Sequence, residues 1–366
     1  MPRTAPLATR SLVLTCLLVG GGCSNDVQVV SPETGGEGAG GGTGTGGAGG
    51  QPPLPDPAII ARAPDETTVT IHFNVVPDPE LATAVDTFAI GSERGALEVI
   101  GASFDPITTV VTLTTARQKL GVEYEVTVSA PGELIDGLES AFLAADTASF
   151  WASDFSSPNY DDYRLVAERV AVGDHCVVYV EQGSLVTDVS QAVEDFDDHI
   201  YPAETSMFIE APDFDDNGRI VLLGLDGGQY YGGYFSLVNA YPDEEMMAQW
   251  GLHSNEMELL YINVEGVGYI DTAHVAPHEL QHLLYHERHG LQYDYFAYHD
   301  EGLAESAVLV AHGENEYAPY HYVTDPNGAI GGGSSLVNWE VGDYDQYARA
   351  FVFWAYVASR LGGVQA

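Results

Sequence analysis

Two histidines four residues apart, with a glutamate directly after the first, constrain the fold of this chain more than any other feature. They lie in the heptapeptide Ala276-Pro277-His278-Glu279-Leu280-Gln281-His282. On an α-helix, residues i and i+4 lie on one face about one turn apart, so both imidazoles can reach one ion while Glu279 faces an adjacent water. The motif therefore predicts a helix that supplies two ligands to a metal site.

A third ligand has to come from another segment, and the acidic stretch 300–306 offers Glu301. A second helix, antiparallel to the first, can return this carboxylate to the ion. Zn²⁺ takes nitrogen and oxygen ligands, and a catalytic zinc site keeps three protein ligands and an open position for water. Asp294 and Asp300 are alternatives to Glu301. We favour Glu301 because Glu305 follows one turn later, where it can hydrogen-bond a ligand histidine.

Two further metal-binding patterns do not fit this sequence. His286 continues the i, i+4 series, but two turns of helix carry it about 12 Å along the axis from His278, too far to share an ion bound at about 2 Å. We therefore expect His286 to lie on the surface. An extended three-histidine motif needs glycine at position 285 and histidine at position 288, where this chain has Tyr285 and Arg288.

The segments HELQH and DEGLAE, and the spacing between them, resemble the thermolysin-type gluzincin clan of metallopeptidases. With the upstream stretch NEMELLYINV, they are similar to the hyicolysin family of metallopeptidases. The resemblance covers the C-terminal part of the chain. It implies an α+β fold of thermolysin type, in which His278, His282 and Glu301 bind zinc and Glu279 is the catalytic base.

Two residues depart from the pattern of these proteins. Pro277 stands where related helices usually carry another residue, and Asp300 stands where asparagine is usual. Proline cannot donate a backbone hydrogen bond and is best tolerated in a first helical turn, so we expect the helix to begin close to Pro277 or to kink there. We expect the helix to end at Gly290.

Residues 1–57 indicate export and tethering rather than a folded domain. The apolar run 12–19 is too short for a standard membrane span and is typical of a secretory signal peptide, which we assign to residues 1–23. Cys23 follows three glycines and resembles a lipobox cysteine, so we expect an outer-surface lipoprotein, with simple extracellular secretion as the alternative. Residues 24–57 form a Gly-rich linker that is too poor in apolar side chains to fold.

The following segment, residues 58–150, has the pattern of an all-β Ig-like sandwich. Short β-branched strands such as Thr68–Phe73 and 124–128 alternate apolar and polar side chains between Pro, Gly and Asp turns. The segment resembles a bacterial Ig-like domain of the surface-layer type. We assign residues 155–366 to the metallopeptidase domain, so the chain is predicted to be multi-domain, an N-terminal sandwich followed by an α+β domain.

Within the second domain, the hydrophobic pattern predicts a β-hairpin over 164–181 and an amphipathic helix over 188–200. The run 219–225 is predicted to be a buried strand. We place a further strand, 259–264, at the sheet edge nearest the metal helix, where an extended substrate can pair with it.

The segment Asp213-Phe214-Asp215-Asp216-Asn217-Gly218 carries oxygen side chains at alternate positions before a glycine, as in the first half of a Ca²⁺-binding loop. This predicts a Ca²⁺ site with Asp213, Asp215 and Asn217 as ligands, and a plain acidic turn is the alternative. Position 12 of such a loop would be a glycine here, which supplies no carboxylate. The nearest candidate for the missing ligand is Asp226.

The formal net charge of −42, with a single lysine, excludes nucleic acid as a partner because its phosphates would be repelled. We expect contact with a membrane only through the N-terminal lipid anchor.

Together, the motif and the resemblance predict a zinc endopeptidase that acts on protein or peptide substrates, with Glu279 as general base. Two alternatives are an inactive surface adhesin on a protease scaffold and a zinc hydrolase of a non-peptide substrate. The donor to the oxyanion stays open among five residues. They are Tyr293, Tyr295, Tyr298, His299 and His321.

Overall fold

A computed structural model describes residues 56–158, 160–228, 231–290, 297–324, 335–337, 339 and 344–361. The predicted signal peptide, the lipobox and nearly all of the linker lie outside these residues, as do Tyr293, Asp294 and Tyr295. Within the described part of the chain, no helix is both long enough and apolar enough to cross a membrane.

The first folded part consists of two four-stranded antiparallel sheets that share one apolar core. Along β1, β2, β6 and β7, every second side chain is buried, because only one face of each sheet meets the other. The strand order is β1-β2-β6-β5 in one sheet and β4-β3-β7-β8 in the other. The elements are β1 Ile59–Asp65, β2 Thr68–Phe73, α1 Pro79–Ala82, β3 Phe88–Ser92, β4 Gly95–Leu97, β5 Val99–Asp105, β6 Val110–Thr115, β7 Glu123–Val128 and β8 Glu139–Leu143.

The second part is built on a six-stranded mixed sheet with the order β13-β14-β12-β11-β10-β9. Strands β11, β12 and β14 run parallel to one another and are buried on both faces, which explains their continuous apolar sequences. On one side of these strands, β10 pairs antiparallel with β11 and β9 pairs antiparallel with β10. On the other side, β13 pairs antiparallel with β14. The bounds are β9 Thr147–Asp154, β10 Asp161–Val172, β11 Cys176–Glu181, β12 Ile220–Leu225, β13 Gly233–Phe235 and β14 Leu259–Asn263.

The predicted boundary between residues 150 and 155 falls inside a strand. All of β9 pairs with β10, from Thr147 opposite Glu168 to Asp154 opposite Asp161. The sandwich therefore ends with β8, and the second sheet already begins at Thr147.

Seven helices complete the described second part. They are α2 Ser190–Asp195, α3 Tyr201–Met207, α4 Asp243–Gln249, α5 Val275–His289, α6 Ala297–His312, α7 Tyr317–Thr324 and α8 Tyr344–Leu361. A π-helical turn, Phe196–Ile200, joins α2 to α3, so the helix predicted over 188–200 continues further along the chain. The chain thus has an all-β part followed by an α+β part.

The placement of the strand 259–264 at the sheet edge was wrong. This segment forms β14, which has β12 on one side and β13 on the other, so it lies inside the sheet. The edge nearest α5 is β13. A strand of three residues with a glycine at its start carries too little periodicity to be recognised in the sequence.

Helix α5 begins and ends where the sequence predicts. It starts at Val275, which places Pro277 in the first turn, where a missing N–H costs no intrahelical hydrogen bond. Its last residue is His289, and the predicted stop at Gly290 is the C-cap, whose φ of 61° lies in the left-handed region that favours glycine. One side of α5 packs on β13 and β14, and α6 packs on another side.

Helix α6 packs closely against α8 at Gly302. A Cβ on Gly302 would lie 2.5 Å from Trp354 Cδ1 and 2.9 Å from Ala350 Cβ, so a larger residue requires the two helices to separate. Because Glu301 is the preceding residue, this contact also fixes the position of a predicted metal ligand.

We expect Gly302→Val to destabilise the second part by about 1–3 kcal/mol, the usual cost of overpacking. Urea denaturation followed by tryptophan fluorescence measures the change. Gly91→Val in β3 is the control, since a Cβ there meets nothing within 4 Å. Equal unfolding midpoints for the two variants would show that α6 and α8 do not pack this closely.

Candidate metal centre

The structure brings the three predicted zinc ligands together. His278, His282 and Glu301 each offer one ligand atom, and these atoms all lie within 4.8 Å of one another. Glu301 Oε2 is 3.2 Å from His278 Nε2 and 3.6 Å from His282 Nε2. The two imidazoles come from successive turns of α5 and the carboxylate comes from α6. All three residues are buried.

The other ring nitrogen of each histidine faces a carboxylate. Asp300 Oδ1 accepts a hydrogen bond from His282 Nδ1 at 2.8 Å, and Glu305 Oε1 lies 3.6 Å from His278 Nδ1. A proton held on Nδ1 leaves the Nε2 lone pair of each ring directed at the shared centre. Histidines that bind metals have this arrangement, so the residues fit a small divalent ion.

The pKa directions agree with metal binding. Burial lowers the pKa of His278, which favours the neutral ring that can act as a ligand. Burial raises the pKa of Glu301, but His278 and His282 outweigh that effect and leave it below its ordinary value. The centre therefore combines neutral imidazole with an ionised carboxylate, which is the protonation state that a metal requires.

Asp300 contacts His286 as well as His282. Its Oδ2 lies 3.4 Å from His286 Nε2, and the two histidines outweigh burial to bring the pKa of Asp300 well below its ordinary range. The expectation that His286 lies on the surface was therefore wrong, since its side chain is only 11% exposed. Asp300 faces the Nδ1 side of His282, so it does not take the place of Glu301 in the group.

Glu305 is the centre of a hydrogen-bond network that sequence reasoning found only in part. His274 Nε2 lies 3.2 Å from Glu305 Oε2, and Tyr344 Oη donates to the same carboxylate at 3.3 Å. Asn315 Nδ2 donates to Oε2 at 3.2 Å. Burial opposes ionisation, but His274 and His278 hold the pKa of Glu305 at about 2. His274 precedes His278 by one turn, and that spacing is a signal that could have found it.

Glu279 is buried beside the edge strand β13. A Cβ on Gly233 would lie 3.4 Å from Glu279 Cγ, so the missing side chain of this glycine makes room for the glutamate. The Phe235 backbone N–H faces the carboxylate without reaching hydrogen-bond geometry, and neither carboxylate oxygen has a hydrogen-bond partner among the residues that the structure describes. Burial raises the pKa of Glu279 well above its ordinary value. This side chain is thus disposed to take up a proton.

Glu204 on α3 is a second buried glutamate whose carboxylate oxygens have no hydrogen-bond partner among the described residues, and no pattern in the sequence points to it. Burial raises its pKa well above the ordinary value, and His282 offsets this only in part. Glu204 therefore holds a proton more readily than a glutamate in water does, and it does not join the ligand group.

The described candidates for an oxyanion donor lie in two places. Tyr298 and His299 lie in the first turn of α6 and contact α8, because Trp354 Nε1 donates to the carbonyl of Tyr298 at 3.1 Å and the Trp354 ring contacts His299. His321 packs against Tyr344, the residue that donates to Glu305. Tyr293 and Tyr295 lie outside the described residues.

The acidic loop forms a separate group that differs from the predicted one. Asp213 and Asp215 join Glu258, with ligand atoms all within 4.8 Å of one another. Asn217 does not join, because its Oδ1 accepts from the Arg219 N–H and its Nδ2 donates to Asp215.

The missing carboxylate of this group is Glu258 and not Asp226. Asp226 follows the far end of β12, where its N–H donates to Glu181. Glu258 precedes β14, which runs parallel to β12 with Leu259 opposite Val221, so it lies at the end of the sheet where the loop enters β12. Only the strand pairing reveals this neighbour.

No family model and no curated protein matches the sequence. Among solved structures, the S-layer protein rSbsC(31-844) is similar with 16% identity over 31% of this chain and 18% of that chain, at a TM-score of 0.23. The Group B Streptococcus pullulanase SAP is similar with 8% identity over 35% of this chain and 24% of that chain, at a TM-score of 0.19. Both matches have low TM-scores and cover less than a quarter of the solved chain. They therefore support no conclusion about the fold or the function of this protein.

We expect Asp300→Ala to lower zinc affinity by about 10–100-fold, because the Nδ1–H of His282 loses its acceptor. Asp300→Asn should lose less, since an amide oxygen still accepts this hydrogen bond. Competition with a chelator measures the affinity. Glu287→Ala, an exposed position on the same helix α5, is the control, and an equal loss in that variant would remove the positioning role from Asp300.

Proposed function

We propose that this chain is a zinc-dependent endopeptidase. The observation that carries the proposal is the convergence of His278, His282 and Glu301 within 4.8 Å, next to a buried glutamate that follows the first histidine. Nitrogen and oxygen donors in this number suit zinc, and three protein ligands leave a fourth position for water. The donor set includes no sulfur, because Cys176, the cysteine in the described chain, lies on β11 and is not part of the ligand group.

A zinc ion held by these residues would lower the pKa of its water and polarise the scissile carbonyl. Glu279 takes the proton of the attacking water and passes it to the leaving amine. The raised pKa of Glu279 supports this role, because a carboxylate in an apolar site accepts a proton more readily than one in water. Asp300 and Glu305 keep the two ligand imidazoles in orientation.

The edge strand β13 offers a place for the substrate backbone. It pairs with β14 on one side, and the described chain places no strand on its other side. Extended peptides bind such edges by main-chain hydrogen bonds, which are the same for every sequence. Because Glu279 packs against Gly233 in this strand, a peptide added there would lie near the proposed base.

The finer fold assignment belongs to the same proposal. A metal-binding helix beneath a mixed sheet with an antiparallel edge strand supports a thermolysin-like gluzincin domain. The two antiparallel sheets around one core support an Ig-like domain in front of it. We further propose that the protein is exported and held at the outer surface by lipidated Cys23, with no nucleic acid partner.

We expect Glu279→Gln to keep its zinc and to lose peptide hydrolysis by about 10²–10⁴-fold, the usual worth of a general base. The substitution keeps the shape of the side chain and leaves all three ligands in place. Zinc content by elemental analysis and digestion of a peptide library measure the two effects. Glu287→Gln makes the same charge change at an exposed position of α5 and should retain both properties.

Three outcomes would count against the proposal. Loss of zinc from Glu279→Gln would make this residue a ligand, and near-normal proteolysis would remove it as the base. A zinc-loaded protein that cleaves no member of the library but hydrolyses a small ester would indicate a non-peptide substrate.

A Glu301→Gln variant is expected to do the reverse of Glu279→Gln, because it weakens zinc binding and leaves the proposed base in place. A neutral amide oxygen is a poorer ligand than a carboxylate, so zinc affinity should fall and added zinc should restore part of the activity. An unchanged affinity, measured by chelator competition, would require another third ligand.

A further inference from the structure

A second group of carboxylates lies where the sandwich meets the α+β part, apart from the zinc centre. Asp213 and Asp215 belong to the loop before β12, and Glu258 precedes β14. One carboxylate oxygen from each lies within 4.8 Å of the others. Like charges at this separation repel one another strongly when they are partly shielded from water.

Glu258 makes this group unlike an ordinary acidic turn. The residue is only 1% exposed, and its Oε1 accepts a hydrogen bond from the Phe214 N–H. Its Oε2 is buried and finds no hydrogen-bond partner in the described part of the chain. Among the described residues, no cationic side chain forms a salt bridge with Glu258, so its charge is uncompensated. Burying such a charge is costly unless a cation accompanies it.

Basic side chains pair with Asp213 of the group and with the neighbouring Asp216, but not with Asp215 or Glu258 among the described residues. Arg94 Nη1, from the turn between β3 and β4, lies 3.1 Å from Asp213 Oδ2, and Lys119 Nζ lies 2.5 Å from Asp216 Oδ2. Within the described residues, Asp215 receives hydrogen bonds from Asn217 alone. Both cations come from the sandwich, so they connect the two parts of the chain around the acidic group.

A cavity beside the group supplies room for coordinating water. It has a volume of about 510 Å³, and its walls include Asp215, Phe214, Lys119 and Met257. Ca²⁺ takes six to eight oxygen ligands and commonly combines carboxylates with water molecules. Three carboxylates leave several positions for water, which this cavity can provide.

We propose that Asp213, Asp215 and Glu258 bind one Ca²⁺ ion. The ion supplies the positive charge that Glu258 lacks and links the loop before β12 to the start of β14. Because Arg94 and Lys119 contact the same loop, the ion stabilises the junction between the sandwich and the α+β part. This site is independent of the zinc centre and does not rest on the proposed peptidase activity.

The test uses the full chain dialysed into calcium-free buffer, with isothermal titration of Ca²⁺ and melting temperature as readouts. The wild type should bind one Ca²⁺, and its melting temperature should rise with calcium by mass action. Glu258→Gln should lower the affinity at least tenfold. Asp226→Asn, the matched control at the far end of β12, should bind as the wild type does.

Stability without calcium makes the test specific for the buried charge. Without calcium, no cation stands beside the buried carboxylate of Glu258 in the described chain, and the neutral amide of a Glu258→Gln variant removes that buried charge. Glu258→Gln should therefore melt at or above the wild type without calcium and below it with calcium. That reversal also shows that the variant folds.

Four results would overturn the proposal. The first is no heat of binding for the wild type at 10 mM Ca²⁺, a concentration roughly ten times the dissociation constant of the weakest extracellular sites. The second is a Ca²⁺ affinity of Glu258→Gln equal to that of the wild type, and the third is a loss of affinity in Asp226→Asn equal to that in Glu258→Gln. The fourth is binding of Mg²⁺ in place of Ca²⁺.

Discussion

The structure depends on the contact between the carboxylates of α6 and the imidazoles of α5. Asp300, Glu301 and Glu305 are all buried, although their side chains ordinarily stay in water. An unpaired buried charge costs several kcal/mol, so these residues can remain inside only where histidines or a metal ion meet them. This requirement fixes how the two helices face each other. The close packing of Gly302 against α8 then fixes α6 from behind.

The sheet contributes the other half of the centre. Strands β13 and β14 pack on α5, and Gly233 leaves the space that Glu279 occupies. The proposed base is thereby kept in an apolar site while the ligands are kept in a polar one. The two environments move the pKa values of Glu279 and Glu301 in opposite directions. Separation of this kind is what a site needs if one glutamate is to accept a proton and another is to hold a metal.

Local features of the site could be predicted from the sequence, and features that depend on distant pairing could not. The spacing of His278 and His282 needs only helical geometry, and the positions of Pro277 and Gly290 mark the ends of α5. By contrast, Glu258 becomes a neighbour of the acidic loop only through the parallel pairing of β12 with β14. The prediction that His286 lies on the surface failed because Asp300, which contacts it, belongs to α6. The i, i+4 pattern within α5 carries no information about that contact.

The direct test of the central claim is zinc K-edge X-ray absorption on the protein reconstituted with one zinc per chain. Two imidazole nitrogens and two oxygens at about 2.0–2.2 Å, with multiple scattering from two histidine rings, are the result that the structure predicts. A sulfur ligand at about 2.3 Å, or scattering from a single imidazole, would contradict a centre formed by His278, His282 and Glu301.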